Sequence, residues 1–77
     1  MASVAALPRA SAERITVGLT RRVSQELTDM SEETGMSKTD LVNRALSLYK
    51  LITDKTEAGY QLALIGRDGE AELVHIL

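Results

Sequence analysis

Arg14, Thr16 and Gly18 occupy alternate positions in the run Arg14-Ile15-Thr16-Val17-Gly18-Leu19-Thr20, and the residues between them, Ile15, Val17 and Leu19, are all apolar. A period of two describes a half-buried strand with one apolar and one polar face. On the polar face the Arg14 guanidinium carries the fork of donors that fits a guanine edge, and Thr16 brings a hydroxyl and a methyl suited to a base edge or a thymine methyl. Charge is distributed in the same sense. Between Met1 and Arg22 four arginines (Arg9, Arg14, Arg21, Arg22) face one acid, Glu13, whereas Val23–Leu77 holds five basic residues and ten acids. The net charge of −2 would by itself argue against a polyanionic partner. Its polarity marks the N-terminal end as the one that meets an anion. Arg21 and Arg22 open a helical pattern, where cations oppose the dipole, and a phosphate contact would relieve that local cost.

Other chemistries lack their residues. The chain has no Cys and a single His, His75, so neither a metal site nor a paired nucleophile and base is expected. There is no Gly-rich phosphate loop. An enzyme is not expected, and no cofactor is implied.

The elements that must carry the polar strand face follow from period and punctuation. Val23, Leu27 and Met30 share one helical face, Thr20 is suited to an N-cap and Gly35 to a left-handed stop, so helix 1 is expected over 21–34. Met36 is placed for the hydrophobic contact that accompanies such a stop, and both Met30 and Met36 read as packing residues. Ser37-Lys38-Thr39-Asp40 reads as a capping box with Asp40 in place of Glu or Gln. Helix 2 should then run from Lys38 to about Glu57, before Gly59. Its apolar stripe (Leu41, Val42, Ala45, Leu46, Leu48, Tyr49, Leu51, Ile52) is too wide for a lone short chain to cover. Two β-prone runs, 60–65 and 70–77, flank Gly66-Arg67-Asp68-Gly69 and predict a hairpin. Its apolar residues (Leu62, Leu64, Leu73, Val74, Ile76, Leu77) could pack on helix 2, extend a dimer interface, or pair edge to edge into higher oligomers. Residues 1–12, rich in Ala and Ser with the single Pro8, read as a flexible arm. The domain organisation is thus 1–12 arm, 13–58 strand and two helices, 59–77 hairpin extension, in the α+β class.

With 77 residues the chain falls where one core seldom supplies more than about 3–5 kcal/mol without disulfides, a metal or oligomerisation. Only the last is open to it. A lone strand would leave both backbone edges unpaired, so 14–20 is expected to pair antiparallel with its counterpart in a second subunit, closing the apolar side over both helix pairs. Apolar runs never exceed four residues, no basic segment precedes Ala2–Leu7, and Cys is absent. A cytoplasmic protein with no membrane span and no secretory signal is the expectation.

On the strand 14–20, the helix closed by Glu33-Thr34-Gly35-Met36-Ser37-Lys38-Thr39, and Leu41-Val42-Asn43-Arg44-Ala45-Leu46, the sequence resembles the ribbon-helix-helix family of DNA-binding proteins, the Arc, MetJ and CopG-like group. The likeness covers about residues 13–52. It implies a homodimer that places a two-stranded antiparallel ribbon in the major groove of double-stranded DNA, with Arg14, Thr16 and Gly18 at the base-reading positions. Gly18 departs from the pattern, since it has no side chain to read with and permits only close backbone approach. The resemblance further implies a phosphate clamp at Ser37, Lys38 and Thr39, which accords with the free N–H groups and positive end of a helix start. Arg9 would add phosphate contacts from the arm.

The implied function is a transcriptional repressor, dimeric or higher on DNA. Alternatives are an antitoxin that binds a toxin protein and represses its own synthesis, a plasmid or phage partition accessory factor, and a structural dimerisation module without DNA affinity.

Overall fold

The computed structural model describes residues 12–75 and is of the α+β class: two helices followed by a two-stranded antiparallel sheet. Helix α1 spans Arg21–Thr34 and helix α2 spans Lys38–Glu57. Their limits are set by caps. Thr20, with extended backbone, accepts the N–H of Val23 on its hydroxyl at 3.2 Å. Gly35 ends α1 at φ 75° and donates its N–H to the Ser31 carbonyl at 2.9 Å. Ser37 starts α2 only two residues later by accepting the Asp40 N–H at 3.1 Å. The return bond of a full capping box, in which the Ser37 N–H donates to the carboxylate at position 40, is not made among the described residues; Asp is one methylene shorter than the Glu such a box favours.

Helix α2 closes with a Schellman motif. Gly59, at φ 98°, donates to the Thr56 carbonyl and Tyr60 donates to that of Lys55 at 3.0 Å. The Lys55 ammonium lies 4.9 Å from the centroid of the Tyr60 ring. The chain then forms strands β1 (Ala63–Ile65) and β2 (Ala71–Leu73), in the register Ala63 with Leu73, Leu64 with Glu72, and Ile65 with Ala71. Both are shorter than the β-prone runs 60–65 and 70–77. The connection bonds the Gly69 N–H to the Gly66 carbonyl and the Gly66 N–H to the Glu70 carbonyl, while the Asp68 carboxylate accepts the Glu70 N–H at 3.0 Å. Gly69 takes φ 86°, the left-handed residue that a three-residue hairpin loop requires.

Among the described residues none is buried. Half-buried positions gather in two places. Leu27, Thr28, Ser31, Met36 and Leu41 surround the junction of α1 and α2, which pack on each other. Ile52, Thr53, Leu62 and Val74 lie where the base of the hairpin meets α2, beside an open cleft of 460 Å³. The strands themselves stand clear of both helices, with no Cα within 8 Å of a helix Cα. On α2, Val42, Leu46, Leu48, Tyr49 and Leu51 all remain exposed, as the width of its apolar stripe requires.

The segment expected as a half-buried strand, 14–20, is neither buried nor paired in the single chain. Ile15 and Val17 are 62% and 61% exposed. No backbone hydrogen bond among the described residues ties 13–19 to another element. Among the described residues the two strands, β1 and β2, pair with each other, and 14–20 lies beside neither. Arg9 and the arm up to Ser11 lie outside the described residues, as do Ile76 and Leu77 at the other end.

Candidate nucleic-acid interface

Arg14, Thr16 and Gly18 sit on the exposed stretch that leads directly into the Thr20 cap of α1. Neither side chain is held by a hydrogen bond to another described residue, so both are available to a ligand. Gly18 needs no glycine for reasons internal to the chain. Its φ is not in the left-handed region, and a Cβ built there would meet nothing within 4 Å.

At the start of α2, the Ser37 hydroxyl is used on Asp40 N–H and the Ser37 carbonyl accepts the Leu41 N–H at 3.0 Å. The N–H groups of Lys38 and Thr39 stay open, as those of a first helical turn do. With the Lys38 ammonium nearby they make an anion-binding geometry. Asp40 works against it, because this acid in the same first turn repels a phosphate while favouring the helix dipole. Lys38 and Asp40 thus oppose each other within one turn.

The start of α1 has no acid in its first turn, and Arg21 and Arg22 both occupy it. They are not equivalent. The Arg22 Nε lies 3.4 Å from Glu26 Oε2, one turn along, with 86% and 54% of the two side chains exposed. Such an exposed pair is worth little and yields readily to a stronger anion. Arg21 has no ion-pair partner among the described residues. The pairing of Arg22 with Glu26, like that of Lys50 with Asp54, follows the i, i+4 spacing of a helix face.

The two helix starts are each anchored by a hydroxyl cap, Thr20 and Ser37, and stand at opposite ends of α1, roughly 20 Å apart along its axis. The structure does not bring Arg14 to the α2 start by any hydrogen bond or ion pair. Among the described residues there is no group of three His, Asp or Glu placed to hold a metal ion, and no helix is long and apolar enough to cross a membrane. No family model, curated protein sequence or solved structure matches this chain.

Proposed function

We propose that the chain is a homodimeric, sequence-specific DNA-binding protein of the ribbon-helix-helix type, acting as a transcriptional repressor at a short repeated operator. The observation that carries this reading is the 14–20 segment: apolar and polar residues alternate, the apolar set is exposed, and the backbone has no partner within the protomer. A second copy supplies the missing strand through the same residues, a self-complementary contact about a two-fold axis. The pairing covers Ile15, Val17 and Leu19 with the exposed flanks of α1 and α2. It leaves Arg14, Thr16 and Gly18 of both copies on one outward face, the width of which suits the major groove.

In this mechanism Arg14 and Thr16 read base edges, and Gly18 lets the ribbon backbone come close to the groove floor. Arg21 and the Lys38 and Thr39 amides take phosphates on either side and set the register. The polarity of charge supports that orientation, because the acids concentrate in α1 beyond Arg22 and in the hairpin, away from the basic N-terminal end. Selection of bound sequences from a random duplex pool by the purified full chain tests the reading. A consensus made of two related half-sites is expected. Recovery of no consensus at moderate salt would overturn it.

A further inference from the structure

The hairpin is not explained by DNA binding. Its own charges, Arg67 against Asp68, Glu70 and Glu72, are net acidic, and its strands rest on no helix. An isolated two-stranded hairpin is marginal in water, where three or more strands or a helix are usually needed. One face of this one presents Ala63, Ile65, Ala71 and Leu73, all exposed, with Ile65 at 74%. A contiguous exposed apolar surface of that kind marks an interaction site.

Which edge of the hairpin is open to a partner follows from the backbone. The Leu62 carbonyl accepts the Val74 N–H at 2.9 Å and the Gly66 N–H donates to Glu70 at 2.7 Å, so positions 62, 64 and 66 turn their polar groups toward β2. Those of Ala63 and Ile65 therefore point outward from β1. By the same alternation, those of Ala71 and Leu73 point outward from β2. Each edge has one residue at its centre, Leu64 on β1 and Glu72 on β2.

We propose that the free edge of β1 pairs antiparallel with the same edge of a second copy of this chain, Leu64 lying opposite the partner's Leu64. In that register Ala63 exchanges both backbone bonds with the partner's Ile65, and Ile65 with the partner's Ala63. Every outward group of β1 is satisfied. The Leu64 pair occupies a non-hydrogen-bonded site, where side chains approach closely. The residues 60–65 carry no charge and no proline, the usual guards of a sheet edge. The β2 edge is guarded, because the equivalent two-fold pairing would set Glu72 directly against its own copy. Joined through β1, the two Glu72 side chains sit on the outer strands, three strand spacings or roughly 14 Å apart, beyond the Debye length at physiological salt. The four-stranded sheet then carries the apolar residues of both hairpins on one continuous face. The contact uses no residue of 14–20, so it stands or falls independently of the DNA reading.

The chain has no Cys, so one introduced thiol reports one site. Leu64→Cys is expected to form a covalent dimer on mild oxidation, because paired Cβ atoms at such a site are about 5 Å apart. Glu72→Cys is expected to remain uncross-linked. In the unaltered protein, the Ala63 and Ile65 amides should be protected from hydrogen exchange to the level of Leu64, and Leu64→Lys should abolish that protection. Leu64 is exposed in the protomer, so these substitutions break no contact within it. Cross-linking of Glu72→Cys as fast as Leu64→Cys, or unprotected Ala63 and Ile65 amides, would overturn the proposal.

Discussion

The Ser31 hydroxyl donates to the Met36 carbonyl at 2.8 Å, reaching across Gly35 from the last turn of α1 to the residue before the Ser37 cap. It joins the end of one helix to the start of the next and fixes their mutual angle. Because the bond is partly buried, Ser31→Ala should cost about 1 kcal/mol. For a domain of this size that lowers the melting temperature by about 4–8 °C, measurable by calorimetry at fixed protein concentration.

Gly35 and Gly18 should respond differently to the same change. Neither would meet an atom within 4 Å if a Cβ were added, but Gly35 holds φ 75°. Gly35→Ala is therefore destabilising through backbone strain alone, by about 1 kcal/mol. Gly18→Ala should leave the melting temperature unchanged and weaken binding to the selected operator. A drop in stability at 18 would show that the glycine serves the protein rather than the groove.

Arg14 and Lys38 test reading against positioning. Arg14→Ala is expected to reduce discrimination between operator and random duplex by about 1–3 kcal/mol. Lys38→Ala should weaken binding to both about equally and reduce the slope of log affinity against log salt by about one. Titrations at two or more salt concentrations separate the outcomes.

Val17→Lys places an ammonium on the apolar side of the ribbon. Association of protomers should weaken by about 3 kcal/mol, roughly a hundredfold in dissociation constant, followed by sedimentation. DNA binding should fall with it, since the two Arg14 side chains then no longer share a face.

The helices were legible in the sequence to the residue. Thr20 and Ser37 are hydroxyl caps whose amide partners lie three residues on, and Gly35 and Gly59 stop each helix by a conformation few other residues adopt. The hairpin was legible from Asp68-Gly69, but its strands were drawn too long: Tyr60 is taken up by the stop of α2, and beyond the single Val74–Leu62 and Gly66–Glu70 bonds no ladder bond continues among the described residues. The burial of 14–20 could not be read, since a period of two tells which side is apolar and leaves open which chain covers it. For the same reason the sequence offered three places for the hairpin without choosing. The outward carbonyls of Ala63 and Ile65 become visible only with the register.

A protomer with no buried residue among 12–75 has almost no interior to collapse around. In the proposed dimer folding is then a reaction of second order, so the refolding rate should rise with chain concentration and the folded fraction should fall on dilution.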